Sequence, residues 1–233
     1  MADSKIRPPP SGSRGEPLRQ RVIDAAERLL RQGKADFAMR DLAAEAGVSF
    51  ATPFNQFGSK AAIMQALSHR RIDTMEARFA TAQQLEHHPI VLLSRSNKDA
   101  RQNKDLEVSS DLLRSEKALG DAADRVVLAV DIATTVMLDE PAVNRAVMGW
   151  LGTAGPAPGQ VWARSTALWA LALREGEGLV AERREQALRC LPGHLAYGFR
   201  GVLSFWTAGE LPDAQLARSA REVANSLLLG FID

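Results

Sequence analysis

The sequence is poor in the features that mark secreted, membrane-bound or disulfide-stabilised proteins. Cysteine occurs once, at Cys190, so an internal disulfide is impossible and a cytoplasmic location is favoured. No apolar run is long enough to cross a bilayer, and the first residues lack the apolar centre of a secretory signal. The 233 residues are nevertheless 45% hydrophobic, enough to bury the core of one large domain, or of a small domain joined to a larger one.

Catalytic and metal-binding motifs are also missing. Neither a phosphate-binding loop nor the G-x-S-x-G or H-E-x-x-H pattern occurs. His87 and His88 are adjacent and would diverge on a helix, whereas His69 and His194 have no partner at ligand spacing. Nothing near Cys190 suggests an activated thiolate, so it is interpreted as a small buried hydrophobe. We therefore expect no catalytic residues, no bound metal and no cofactor.

The charge of the chain does not favour a particular class of partner. The net charge is only +1, with a net +3 in residues 1–60 and −2 in the remainder. A slightly basic, solvated tail would explain part of this excess equally well. Charge by itself does not argue for a nucleic-acid partner.

Helical periodicity is what the sequence has in abundance. Apolar residues recur at three- and four-residue spacing from Pro17, a favoured first helical position, to a predicted stop at Gly33. The segment "FAMRDLAAEAGV" predicts a short second helix that ends at Gly47, and a long helix begins near Ser59. The predicted inward residues of the second and long helices are Leu42, Ala43, Ala46, Ile63, Ala66, Leu67, Met75 and Phe79.

The rest of the chain continues the helical pattern with two interruptions. Residues 86–118 are polar without a clear period, which predicts a long loop or a poorly packed helix, and "GTAGPAPG" predicts another loop. A helix starts at about Pro141, and the one that contains Pro192 could break there. We predict an all-α fold with a disordered tail over 1–16, a small helical domain over 17–62 and a larger helical domain over 63–233.

The first sixty residues have the organisation of a helix-turn-helix. Three short helices follow one another, and the second and third are joined by a turn that contains Gly47. The first two helices bury their apolar stripes against the third, which leaves the outer face of the third free to enter a DNA major groove.

These residues resemble a known family. The features are the "AA" and "LL" of helix one, "RDLAAEAGVS", the pair Phe54 and Phe57, and "GSKAAI", all within Arg21 to Leu67. This segment resembles the DNA-binding domain of the TetR/AcrR transcriptional repressors. The remaining chain is similar to the ligand-binding and dimerisation domain of that family only in kind.

Pro53 stands where the third helix should be running, and two interpretations remain open. If Ser49 caps the helix, Pro53 is its fourth helical residue and forfeits a backbone hydrogen bond. If Thr52 caps it, Pro53 is the first helical residue, which is a favoured position. In both cases the recognition helix is one to two turns long.

The resemblance implies particular DNA contacts. It places four residues in the groove-facing first turn, and the amide of Asn55 could bind adenine. Phe54 stands where a tyrosine hydroxyl usually meets phosphate, and Ala38 stands where a Ser or Thr usually caps helix two. Lys60 and then Arg40 are the best remaining phosphate contacts. The predicted DNA-binding residues are Arg40, Ser49, Phe50, Ala51, Thr52, Phe54, Asn55 and Lys60.

Phe54 and Phe57 also have a simpler interpretation as core residues, which is favoured for Phe57 and equally weighted for Phe54. The same holds for large apolar groups in the second half of the chain, which are either core or the lining of a cavity for a small apolar or aromatic effector. The candidate lining residues are Met137, Met148, Trp150, Trp162 and Trp169.

A single helix-turn-helix contacts too few bases to be specific, so two copies on a palindrome are expected. We predict a two-fold homodimer through the last two or three helices. The apolar residues assigned to this interface are Leu195, Phe199, Leu203, Trp206, Leu227 and Leu228.

Two functions remain in view. The first is a ligand-responsive transcriptional repressor that binds a palindromic double-stranded DNA operator as a homodimer. The alternative is a helical small-molecule-binding or catalytic protein whose helix-turn-helix no longer binds specific DNA. Discrete, salt-dependent operator binding separates them.

Overall fold

The computed structural model describes residues 12–86, 120–153 and 160–232. Within these ranges the chain is helical and contains no strand, which confirms the all-α prediction. Most of the predicted tail, all of the polar segment 86–118 except Glu86, and most of the "GTAGPAPG" loop lie outside the described residues.

The helices follow the predicted periodicity closely in the N-terminal part. Their bounds are α1 Gly12–Arg31, α2 Met39–Ala46, α3 Ala51–Phe57, α4 Lys60–Glu86, α5 Ala122–Asp139, α6 Pro141–Thr153, α7 Val161–Leu173, α8 Arg184–Ala208 and α9 Asp213–Leu228. A single 3-10 turn, Ala181–Arg183, precedes α8.

Pro17 and Pro192 lie inside helices, although the sequence indicated a helix start at the first and a possible break at the second. Pro17 is within α1, which begins five residues earlier at Gly12, and Pro192 is within an uninterrupted α8. Proline fixes its own φ in the helical range, so a helix can continue through it at the cost of one amide hydrogen bond. Around Pro192, the buried side chains of Leu191, Leu195 and Ala196 hold α8 in place.

The described residues form two compact units. The first comprises residues 12–68 and 142–153, and the second comprises 69–86, 120–141 and 160–232. Most of α6 therefore groups with the helix-turn-helix, although the sequence placed it in the second domain. The reason is that Val143 and Val147 complete the core of the first unit, where both are almost fully buried.

The first unit has a core built from the predicted apolar stripes. Val22, Leu42 and Ile63 are fully buried, so α1, α2 and α4 meet at one centre. Gly33 and Gly47 adopt positive φ of 76° and 62°, as their predicted roles as helix stops require. The amide of Gly47 donates to the carbonyls of Ala43 and Ala44, which fixes the turn between α2 and α3.

In the second unit, α8 packs against both α7 and α9, α9 packs against α5, and α5 packs against α7. Helices α8 and α9 approach closely at Gly198, where an added Cβ would lie 2.7 Å from Cγ1 of Val223 and 3.2 Å from Cδ1 of Leu227. A larger residue at this position would therefore push α8 and α9 apart.

Arginine side chains join the helices of the second unit. Arg164 pairs with Asp73 and with Glu76, and Arg78 lies 2.6 Å from the carboxylate of Asp139. Arg125 is 4% exposed and donates to the carbonyls of Ala172 and Leu173 at the end of α7, to the Gly120 carbonyl, and to the Glu177 carboxylate. These bonds satisfy carbonyls that a helix end leaves without partners.

Candidate nucleic-acid interface

The third helix starts in a way that neither sequence interpretation described. It begins at Ala51 after Phe50, so Pro53 is its third residue, and neither Ser49 nor Thr52 is the cap. The first amides of a helix have no partner within it, so a proline here loses no hydrogen bond. Pro53 has no amide hydrogen and so cannot donate to the carbonyl of Ser49, four residues earlier. That carbonyl accepts instead from the Thr52 amide at 2.9 Å. A second bond of 2.8 Å joins the hydroxyls of Ser49 and Thr52.

Pro53 is buried, and the opposite side of α3 is exposed to solvent. Phe50 is 57% exposed and Phe54 is 41% exposed, and their rings meet edge to face with centroids 5.4 Å apart. Ala51 and Asn55 are also exposed. Phe57, in contrast, is partly buried against the core, as favoured from the sequence. The core interpretation of Phe54 is thus wrong.

Two arginines that sequence reasoning missed fix this helix-turn-helix. Arg19 donates to the carbonyl of Gln56 at 2.9 Å, and its guanidinium lies 4.2 Å from the centroid of the Phe57 ring. Arg28 bonds both the carboxylate and the carbonyl of Glu45, at 2.6 and 3.0 Å. Their partners lie 37 and 17 residues further along the chain, so no local pattern in the sequence indicated these contacts.

The amine of Lys60 is hydrogen-bonded within the first unit. Its Nζ donates to the carbonyls of Ala35 and Phe37, both at 2.9 Å, and lies 4.3 Å from the centroid of the Phe37 ring. Burial lowers the pKa of the Lys60 ammonium, and the nearby charge of Asp36 partly opposes this shift. Two of its three donors are therefore used internally, and its role as a phosphate contact stays a prediction.

Arg40 offers a more accessible cation. It is exposed on α2, close in sequence to the start of that helix, and makes no ion pair with any residue in the described ranges. Ala38 caps α2 without a side-chain bond, as expected, but the carboxylate of Asp41 accepts from the Ala38 amide at 2.9 Å. Half of a capping box therefore remains.

The predicted effector residues are divided between the two units. Met148 and Trp150 belong to the first unit, where Trp150 packs against the core cluster. Met137 and Trp169 are buried in the second unit, and Trp162 is 54% exposed there. Of the five, only Trp169 lines the apolar gap found among α5, α7, α8 and α9.

The residues assigned to a dimer interface need correction. Leu195, Leu203, Trp206 and Leu228 are at most 4% exposed, because the packing of α8 and α9 within one chain already covers them. Phe199 and Leu227 are partly buried and line the apolar gap.

The exposed apolar residues of α8 are instead Tyr197 and Phe205, at 60% and 59%. Gly193 and Gly201 alternate with them at four-residue spacing, so the four share one helix face. Trp162 of α7 stacks on Tyr197 with ring centroids 6.2 Å apart. We call Trp162, Gly193, Tyr197, Gly201 and Phe205 the α8 face.

The histidines and the cysteine of the described ranges add no further site. No group of three potential metal ligands occurs within the described ranges, which exclude His87 and His88. Cys190 is only half-buried, not enclosed as expected, because it lies at the margin of the buried side of α8. No described helix is both long and apolar enough to cross a membrane.

A three-helix unit with a glycine turn and a short, outward-facing third helix is a helix-turn-helix DNA-binding domain. Residues 22–67 match the model of the bacterial regulatory proteins of the tetR family, which confirms the family resemblance. The match covers 46 of the 233 residues, so this segment is similar to the DNA-binding domain of the TetR family, and the similarity supports a transcriptional regulator.

One of two similar solved structures supports the fold, with a TM-score above 0.5. A TetR transcriptional regulator from Rhodococcus sp. RHA1 is 20% identical, with a TM-score of 0.59 over 92% of this chain and 97% of that one. A putative TetR-family transcriptional regulator from Mesorhizobium loti MAFF303099 is 15% identical, with a TM-score of 0.42 over 94% and 99%. No curated protein sequence matches the chain.

Proposed function

We propose that the protein is a homodimeric repressor that binds a palindromic operator and releases it when a small effector binds. The observation that carries the DNA-binding part is the exposed outer face of α3, which presents Phe50, Ala51, Phe54 and Asn55 while Pro53 and Phe57 face the core side. A helix held in this way can place side chains against base edges in a major groove.

Two copies are needed because one short recognition helix contacts few base pairs. Half-sites about 34 Å apart would meet the two recognition helices of a two-fold dimer on one side of the duplex. The dimer forms through the α8 face, where aromatic side chains stand next to glycines. In an antiparallel pair related by a two-fold axis, Tyr197 or Phe205 of one copy can fill the notch at Gly201 of the other.

The test of DNA binding is selection of bound sequences from random duplex DNA, followed by affinity measurements over a range of salt. We expect one palindromic motif and an affinity that falls steeply and linearly on logarithmic axes as salt rises. Enrichment of no motif, together with a flat salt dependence, would contradict the repressor and favour the second function below.

The effector is proposed to be small and mainly apolar or aromatic. The apolar gap bordered by Val130, Trp169 and Phe199 is too narrow to hold even a water molecule. A ligand pocket normally holds about 300 Å³ or more, so the effector has to bind a more open arrangement of these helices. The buried indole N–H of Trp169 has no hydrogen-bond partner among the described residues, so an effector with one acceptor would be favoured.

Such an effector lowers operator affinity only by its differential binding to the two arrangements. Compounds that release operator DNA should therefore change the tryptophan emission of the wild type, and the change should be much smaller in Trp169→Phe. Release with an unchanged response in Trp169→Phe would place the effector elsewhere.

A helical ligand-binding or catalytic protein that does not bind specific DNA remains the second candidate. The observation in its favour is the chemistry of the interface itself. The amine of Lys60 already bonds two carbonyls, and Phe54 lacks a phenolic hydroxyl for phosphate. The selection experiment distinguishes the two functions directly.

A further inference from the structure

The exposed surface of the proposed recognition helix is dominated by aromatic side chains. The sequence of α3, "ATPFNQF", contains no charged residue, and its largest exposed side chains are aromatic. Phe50, immediately before it, adds a second exposed ring. An apolar pair is therefore the main feature of the surface that would enter the groove.

A phenyl ring can neither donate nor accept a conventional hydrogen bond, so it cannot distinguish most base edges. In the major groove, the one strongly apolar group is the 5-methyl group of thymine, with which phenylalanine makes favourable contacts. We propose that Phe50 and Phe54 recognise thymine methyl groups in each operator half-site. This inference rests on the proposed function, and it adds the class of base pair that the site selects.

The geometry limits where those thymines lie. The two ring centroids are 5.4 Å apart, and stacked base pairs are about 3.4 Å apart along the helix axis. The rings therefore span between one and two base-pair steps. The contacted methyl groups belong to adjacent base pairs or to pairs separated by one.

The ring pair is also ordered before DNA arrives. The edge-to-face contact restricts both side chains, so binding costs less side-chain entropy than it would for two independent rings. Asn55 is exposed on the same helix and can bond adenine with its amide. The three side chains together favour a half-site rich in A·T pairs.

The test uses the palindromic operator obtained by selection, with thymine replaced by deoxyuridine, which removes only the methyl group. One contacted methyl group should contribute about fourfold to affinity, equivalent to about 0.8 kcal/mol for a buried CH₂ group. Replacement at the same position in both half-sites should therefore weaken binding by about sixteenfold. Cytosine and 5-methylcytosine, compared at that position, should differ in the same direction.

The decisive measurement is the thymine-to-deoxyuridine affinity ratio in variants. Phe50→Ala and Phe54→Ala should each reduce this affinity ratio partway towards one. The double variant should bind the thymine and deoxyuridine operators equally. Asn55→Ala is the matched control from the same helix, because it should weaken binding yet keep the ratio. A change in folding alone would lower both affinities together and leave the ratio intact.

Equal wild-type affinity for the thymine and deoxyuridine operators would overturn this inference and leave DNA binding in place. A ratio that persists in the double variant would overturn it as well, since other groups would then contact the methyls. Failure to select any operator would instead overturn the proposed function on which the inference rests.

Discussion

The α3 face and the α8 face both expose a pair of aromatic side chains, yet their surroundings differ. We call Phe50, Ala51, Phe54 and Asn55, the exposed residues of α3 and of the position before it, the α3 face. On α3, Phe50 and Phe54 stand beside exposed Asn55 and Ser49, on a helix of only seven residues. On α8, Tyr197 and Phe205 stand on a helix of 25 residues. Gly201 lies between them and leaves a notch that a ring can fill.

The difference suggests which partner each surface fits. Hydrogen-bonding side chains next to apolar ones suit base edges, which present donors, acceptors and methyl groups side by side. A long regular helix with alternating rings and notches suits another copy of itself, because the same pattern runs in both directions along the axis. Exposed aromatic residues thus indicate a binding surface, and the residues around them indicate the class of partner.

The largest predicted effect separates the buried side of α8 from its exposed face. Trp206 is fully buried next to exposed Phe205, and its indole Nε1 donates to Asp213 at 2.8 Å. Trp206→Ala should lower the free energy of unfolding by about 3–5 kcal/mol, because it leaves a large cavity. Urea unfolding measures this, with Trp206→Phe as the milder control. A loss below about 1 kcal/mol would contradict the assignment of Trp206 to the core.

The next effect is on assembly. Tyr197→Glu and Phe205→Glu should each weaken the dimer by about 2 kcal/mol or more, since each places a charge in an apolar interface. Sedimentation across a concentration series should show the shift towards monomer. Leu171→Glu is the control, because Leu171 is 46% exposed on α7 and outside the α8 face. A dimer unchanged by both α8 substitutions would show that the copies meet through another surface.

A third prediction concerns the support of the α3 face. Lys60→Met keeps an apolar stem but loses two bonds from the ammonium to carbonyls, so it should cost about 1.5–3 kcal/mol of stability. Arg40→Met should instead leave stability within about 0.5 kcal/mol and reduce the salt dependence of DNA binding by about one phosphate contact. If Lys60→Met flattened the salt dependence without a stability cost, the amine would be a phosphate contact after all.

The smallest effect is a pH dependence in the second unit. The pKa of Glu177 is lowered, mainly because its carboxylate accepts a hydrogen bond from the Glu177 backbone amide. Burial opposes this shift, whereas the hydrogen bond and the charge of Arg125 lower the pKa further. A lowered carboxyl pKa stabilises the fold above the unfolded value, and this gain is lost as the pH falls through the folded value. Because the Glu177 side chain is 54% exposed, the gain should stay below about 1 kcal/mol.

Urea unfolding at pH 7 and near pH 3 measures this difference. Glu177→Gln should be less stable than the wild type at pH 7, and the two should converge in acid. Glu182→Gln provides the control, since Glu182 is exposed and close in sequence. A constant gap between Glu177→Gln and the wild type across this range would contradict the proposed origin of the effect.

The sequence by itself determined the helices and their apolar sides. Periodicity is a local property, so the stripe of α1, the inward residues of α2 and the stops at Gly33 and Gly47 could all be predicted. The family motifs over residues 22–67 then identified α3 as the candidate recognition helix.

Only the tertiary structure decided which partner each apolar or charged group contacts. On α8, Trp206 lies in the core whereas its neighbour Phe205 is exposed. Periodicity identifies an apolar helix face, but it does not show whether that face packs within its own chain or against another copy. Lys60 reaches carbonyls more than twenty residues away, and Val143 completes a core formed by the first helices. Such pairings depend on how distant segments pack together, and no local pattern in the sequence encodes that packing.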